Sequence, residues 1–280
     1  MSNKKDSLGD RMKGYENISR IYLTKRLPVI VRIDGKAFHS YTKGLKRPFD
    51  DILIQTMQDT ATYLCKNIMG CRLAYTQSDE ISLLLVDYER IETQPWFENN
   101  LQKIVSVAAS MATMAFNKAW RERTEAYIDS VMALQDADID GKYLTVLNSK
   151  LGTAMFDARA FVLPKEEVCN YFIWRQQDAT RNSIQMLAQS LFSHRQLQGK
   201  NCSDLQDMMF VIHGVNWNDC KTVYKRGSCV KRVNNTSVKT TSEGFGDPYE
   251  TTVVRSSWVV DTEIPIFTQY PQYINEQVFV

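Results

Sequence analysis

The sequence has 280 residues, 44% of them apolar and 24% charged, and a net charge of +2. This is the composition of a globular protein with a large core, in one body or two. It excludes a membrane span: the longest apolar stretch, Ile104 to Phe116, has 13 residues interrupted by Ser and Thr, too few to cross a bilayer.

Taken in chain order, the periodicity predicts a helix over 6–25. Leu8, Met12, Tyr15, Ile18 and Tyr22 recur there at three or four residues. Pro28 precedes a β-branched strand, Val29 to Asp34, that stops at Gly35. Residues 36–49 read as a basic, turn-rich connection. Asp50 or Asp51 caps the next helix, whose inward face carries Leu53, Met57, Ala61, Leu64 and Ile68. A strand at about 72–78 and another from Ile81 to Val86 form a hairpin, with Gln77-Ser78-Asp79-Glu80 near the bend. A long helix over roughly 98–121 has a middle of small residues suited to close packing on a sheet. Residues 135–142 read as an acidic surface loop. Ala154 to Leu163 is a strand stopped by Pro164, and a helix follows over 165–197. Beyond it come a Ser/Thr/Gly-rich connection at 234–247 and a strand-like stretch from Thr251 to Val260.

Between residues 28 and 163 the order is β-α-β-β-α-β. That order builds an α+β, ferredoxin-type core: a four-stranded antiparallel sheet with two helices on one face.

Charge is unevenly spread. Residues 1–50 hold 12 Lys and Arg against 5 Asp and Glu, and residues 220–242 hold 6 Lys and Arg with no acid. Two basic zones on a near-neutral chain suit a bound polyanion. The six cysteines are scattered, with no CxxC pair and only 3 histidines, which is not the pattern of a zinc site. Such isolated thiols suit a cytoplasmic protein. Met1 to Asp6 has no apolar run of the secretory kind.

Asp34 closes the first strand, and Asp79 and Glu80 lie at the hairpin bend. In a split β-α-β sheet these strand ends are neighbours, so the carboxylates can converge. Two carboxylates there can hold Mg²⁺, a hard cation that takes substrate phosphates as further ligands. A pair of such ions clamps the attacking and leaving oxygens of a phosphoryl transfer. Gly35, without a side chain, lets its carbonyl approach a metal or nucleotide. Strict alternation points Asp79 and Glu80 to opposite faces, so Asp79 is the expected ligand. His39 is a candidate contact to phosphate or ribose. Lys103 and Arg159 are candidate phosphate contacts, and Trp174-Arg175 reads as core packing beside a surface charge.

Several segments together resemble the tRNA(His) guanylyltransferase superfamily. They are Arg32-Ile33-Asp34-Gly35-Lys36-Ala37-Phe38-His39, Ala74 through Glu80, Phe156-Asp157-Ala158-Arg159, Trp174 through Asp178, and Tyr224-Lys225-Arg226-Gly227. Arg11 through Glu16 is similar to its guanylyltransferase-like branch. The resemblance implies a palm-like core at 28–163, an N-terminal helix at 1–27 and a C-terminal helical, tRNA-binding extension at 164–280. It implies catalysis by Asp34, Asp79 and Glu80, and two Mg²⁺ held by Asp34, Gly35 and Asp79. It implies nucleotide contacts from Asp34, Gly35, Lys36, Ala37, Phe38, His39, Ser78 and Asp79, ATP or GTP as substrates, tRNA as partner, and a homotetramer. The eukaryotic His-Ile-Asn-Asn motif is replaced here by Thr180-Arg181-Asn182-Ser183. That change implies templated 3′-5′ addition to truncated tRNA 5′ ends. The competing expectations are addition of the 5′ guanosine to tRNA(His), a palm-type nucleotide cyclase, and a non-catalytic RNA-binding module.

Overall fold

Six strands form one sheet in the order β4-β1-β3-β2-β5-β6, every neighbouring pair antiparallel. They are β1 (Val29–Gly35), β2 (Cys71–Gln77), β3 (Glu80–Leu85), β4 (Phe156–Val162), β5 (Ser228–Thr241) and β6 (Tyr249–Asp261). The computed structural model describes residues 7–133, 141–241 and 249–279. The first four strands have the ferredoxin-type order, and β5 and β6 extend the sheet beyond β2.

Alternation along the strands builds two cores. Val29, Val31 and Ile33 of β1, with Ile81, Leu83 and Leu85 of β3, face α3 (Asp51–Asn67) and α4 (Leu101–Ala133). Ile30, Leu73 and Leu84 face the opposite way, toward α6 (Lys165–Leu191) and α10 (Gln272–Val278). The two predicted helices thus share one face, and the C-terminal extension covers the other.

The α3 helix starts where Asp50 accepts the Leu53 N–H, satisfying one of the unpartnered first-turn donors. Along α4, Ala108, Ala112 and Ala115 are buried, so the helix lies close to the sheet. Phe116 and Trp120 follow on the same helix. They join an aromatic cluster with Phe38, Tyr41 and Phe156, ring centroids 4.7 to 5.8 Å apart. Burial of each such side chain stabilises by about 1.5–3 kcal/mol. Phe38 and Tyr41 belong to α2 (Phe38–Tyr41), so the segment after β1 is pinned from below.

Several elements differ from the sequence reading. The first helix, α1, runs only over Ser7–Ile18, and its apolar residues are exposed, with Ile18 at 82%. The periodicity forms a helix, but none of its residues is buried by the other described residues. The long helix α4 continues to Ala133 because Thr124 and Tyr127 still pack inward. The predicted acidic loop lies outside the described residues at 135–140, and Gly141 and Lys142 open α5 (Gly141–Ser149). The helix predicted over 165–197 breaks after Leu191. Ser193 then opens α7 (His194–Leu197) with a reciprocal cap to Gln196. The helices α8 (Cys202–His213) and α9 (Thr222–Arg226), together with α10 and β5, had no sequence assignment. Residues 234–241, read as a connection, are strand, and 242–247 lie outside the described residues. Polar residues sit in β5 because only Ser228 through Lys231 pairs with β2. From Arg232 to Thr241 the strand pairs with β6 alone, as a two-stranded ribbon. No helix among the described residues is long and apolar enough to cross a membrane.

Candidate active site

The end of β1 and the β2–β3 turn lie side by side. The Gly35 N–H donates to the Asp79 carbonyl at 3.1 Å. Asp34 pairs in register with Glu80 on one side and with Asp157 on the other. Residues 34 and 79, far apart in sequence, are thereby neighbours.

Two tight backbone turns shape this corner. Ala37 at φ 55° and Ser78 at φ 53° both occupy the left-handed region without being glycine. Each costs about 1–2 kcal/mol, a strain typical of functional turns. Gly35 is required for packing: a Cβ there would lie 2.3 Å from the Phe38 ring. The ring seats against the glycine, leaving the following turn to carry His39 outward.

The adjacent acids Asp79 and Glu80 are held differently. Burial pushes the Asp79 carboxyl above its usual range, and the neighbouring Asp34 charge pushes the same way, against a 3.0 Å hydrogen bond from the Ser78 hydroxyl. Among the described residues no Lys, Arg or His forms an ion pair with Asp34 or Asp79. Glu80 instead accepts a fork from Arg175, Nε to Oε1 at 2.8 Å and Nη2 to Oε2 at 2.7 Å.

A cavity of about 630 Å³ opens beside the turn. Its lining includes Gly35, Ala37, His39, Ser78 and Asp79 and the apolar side chains of Leu45, Phe49, Leu53, Ile54, Met186 and Val223. Lys46 and Arg47 also line it. Phe49 stacks on Tyr224 with centroids 4.6 Å apart, and the Tyr224 hydroxyl donates to Asp51 at 2.6 Å, which ties α9 to α3 across the rim.

Of the sequence candidates, Gly35, Ala37, Phe38, His39, Ser78 and Asp79 line this cavity. Phe38 does so while 97% of its surface is buried in the aromatic core, its relative exposure being 3%. Asp34 lies directly behind Gly35 and outside the lining. Lys36 is exposed, its N–H bonded to the Met155 carbonyl at 2.8 Å, and it too is outside the lining. Lys103 sits over the Phe97 ring, and Arg159 pairs with Asp157 at 3.3 Å. The reading of Trp174-Arg175 is reversed: Trp174 is 48% exposed and Arg175 only 9%, because Glu80 gives the guanidinium a buried partner. Sequence reading also missed the wall from residues 45–54 and from Ser183, Met186 and Gln189 on α6. The basic turn-rich composition of 36–49 was the one available signal for that wall.

The donor chemistry fits Mg²⁺. Asp34, Asp79 and the Gly35 carbonyl are hard oxygen donors, and the like-charged acids lack a cation. Among the described residues no group of three or more His, Cys, Asp and Glu is gathered, so a bound ion would draw its remaining ligands from substrate and water.

Comparison with known proteins agrees with this geometry. The family described as tRNAHis guanylyltransferase matches residues 9–164. The tRNA(His) guanylyltransferase of Schizosaccharomyces pombe is 26% identical over 230 residues, 78% of this chain and 77% of its own. An uncharacterised mimivirus protein, R259, is 27% identical, covering 81% of this chain and 77% of its own. Among solved structures, a bacterial tRNA(His) guanylyltransferase-like protein in complex with ATP is 44% identical. The match covers 98% of this chain and all of that one, with a TM-score of 0.78. Its complex with GTP matches with a TM-score of 0.72 at 43% identity over 98% of this chain and 100% of that one. The Saccharomyces cerevisiae enzyme, at 22% identity and TM-score 0.59 over 78% of this chain and 92% of its own, shares the fold. Fold and sequence agree: the chain belongs to the tRNAHis guanylyltransferase family and is a nucleotidyltransferase.

Proposed function

We propose that this enzyme adds nucleotides in the 3′-5′ direction to the 5′ end of truncated tRNA, choosing each by pairing with a template base. The observation that carries the reading is Asp79, which lines a nucleotide-sized cavity with the like charge of Asp34 beside it and, among the described residues, no ion pair to either acid. The solved bacterial relative in complex with ATP supports a nucleotide as the occupant.

Asp34, Asp79 and the Gly35 carbonyl would hold Mg²⁺. Bound there, the ions supply charge neutralisation for a triphosphate and polarise the phosphorus under attack. The protein's own groups orient the reactants. The apolar lining, with Phe49, Leu53 and Met186, takes a base and excludes water. Arg47 and His39 of the lining contact the phosphates, while Lys46 holds its ammonium over the Tyr143 and Tyr127 rings at 4.7 and 5.1 Å. ATP or GTP transfers its nucleotidyl group to the tRNA 5′ phosphate, releasing pyrophosphate, and the 3′-hydroxyl of the next nucleotide then attacks that 5′ phosphorus, displacing the activating nucleoside monophosphate. The basic residues between Lys221 and Arg232 bind tRNA phosphates, so affinity falls steeply with salt. The uncovered apolar face of α1 supports a homotetramer, and six free thiols support a cytoplasmic setting.

Addition of a 5′ guanosine to tRNA(His) is the second reading, favoured by the named activity of the fission-yeast relative. Incubation with 5′-truncated tRNAs differing in the template base, with ATP, Mg²⁺ and each nucleotide in turn, decides between them. Incorporation should follow the template base and vanish in Asp34→Ala. Guanosine incorporation whatever the template base favours the second reading, and full activity in Asp34→Ala removes the site.

A further inference from the structure

We propose that Arg175 is a positioning residue that holds the Glu80 carboxylate out of the cation-binding set. The proposal rests on the reading of Asp34 and Asp79 as the cation ligands.

Glu80 and Asp34 are directly opposed across β1 and β3. Opposed residues of an antiparallel pair project to the same face with Cβ atoms about 4.5–5.5 Å apart. A free Glu80 carboxylate would therefore stand beside Asp34 and join any cation there. It is not free. Arg175 binds both of its oxygens, and the Ser82 hydroxyl donates to Oε1 at 3.2 Å. With that proton committed, the Tyr171 hydroxyl is the donor in its 2.7 Å contact with Ser82. Arg175 is itself fixed by Asp178 at 3.0 Å and by the Trp174 ring, 4.5 Å from its guanidinium carbon.

Both oxygens of the Glu80 carboxylate are thus engaged, so the carboxylate is locked in place. Stability does not explain the arrangement, because a buried ion pair is matched or exceeded by apolar residues of equal volume. Its location does: one register step from Asp34, Arg175 cancels a charge that would otherwise add a third acidic ligand. An extra carboxylate tightens a hard-cation site and slows release. The arrangement thus keeps cation affinity loose enough for an ion that must exchange with each nucleotide.

The test is Mn²⁺ titration of the full chain by calorimetry and electron paramagnetic resonance, with no nucleotide present. Arg175→Met frees Glu80 and is expected to tighten Mn²⁺ binding about tenfold, lowering kcat with little change in nucleotide KM. Arg175→Lys, unable to form the fork, should fall between Arg175→Met and the wild type. Glu80→Leu combined with Arg175→Met removes both charges and should return affinity to the wild-type value. A folded Arg175→Met with unchanged affinity overturns the proposal, as does loss of Mn²⁺ binding in the double variant. Should Arg175→Met fail to fold, Arg175→Lys decides: Mn²⁺ binding tighter than wild type supports the proposal and unchanged affinity overturns it. Asp79→Asn separates the two readings: wild-type Mn²⁺ binding there would instead remove the assignment of the site.

Discussion

Asp79 and Glu80 are neighbours in sequence and opposites in circumstance. Asp79 lies on the cavity side of the β2–β3 turn, crowded by Asp34 and without a cationic partner, and its carboxyl is pushed upward. Glu80 lies on the α6 side, clasped by Arg175. The first arrangement destabilises the fold and leaves an acid ready for a ligand. The second satisfies its acid fully. Local strain and unpaired charge in a fold otherwise consistent at every level mark the place where function was favoured over stability.

The largest expected effect follows from removing the unsatisfied charge. Asp79→Asn should reduce nucleotide incorporation by about 10³-fold or more, a loss of the size seen for an electrostatic group acting in the transition state. The same change should raise Tm in cation-free buffer. The sign follows from linkage. A carboxyl whose folded pKa lies above its unfolded value is favoured in the protonated form. Its ionised form costs stability above the folded pKa, and the cost fades as pH falls toward the ordinary carboxylate range. The stabilisation by Asp79→Asn should therefore be greatest near neutral pH and shrink in acid, as thermal melts across pH would report. A lower Tm at neutral pH would break the contrast between the two acids.

The reverse sign is expected one residue later. Glu80→Gln leaves Arg175 charged, largely buried and half-answered, and breaking one partner of a buried pair costs about 3–5 kcal/mol. Asp178 still faces the guanidinium, which puts the loss toward the lower end of that range. Chemical denaturation with an unchanged m-value checks it.

What the sequence made legible here was periodicity and adjacency. The β-branched run Val29 to Ile33, the apolar run Ile81 to Leu85 and the cap at Asp50 announced their elements directly, and topology then brought Asp34 to the β2–β3 turn. Asp79 sits in the turn rather than in a strand, so alternation does not govern how it and Glu80 part. Two things were illegible, each for a physical reason. The role of Arg175 depends on a partner 95 residues away, and no local pattern reports a buried guanidinium. The strand β5 is rich in Asn, Thr and Lys, and from Arg232 to Thr241 it pairs only with β6, as a two-stranded ribbon. Polar composition there read as a connection. Helix α1 differs in the other direction: its amphipathic pattern forms a helix, while its apolar side chains Leu8, Met12, Tyr15 and Ile18 stay exposed among the described residues.

The smallest effect tests where the Glu80 network ends. Asp178 bridges Arg175 and Arg181, accepting at 3.0 Å from the first and 2.8 Å from the second. Geometry alone makes the two contacts look equivalent. Their settings differ, since the Arg181 side chain is 53% exposed and that of Arg175 only 10%. Water and salt screen the outer contact, and holding a long side chain in one rotamer offsets much of what remains. Arg181→Ala should therefore cost less than about 1 kcal/mol, and the cost should disappear in high salt. The Glu80→Gln loss, set by a partner shielded from solvent, should persist at the same ionic strength. If Arg181→Ala instead proves as damaging as Glu80→Gln in denaturation at low and high salt, the network is one cooperative unit reaching the surface. The clasp on Glu80 would then extend through Asp178 to Arg181 rather than end at Arg175.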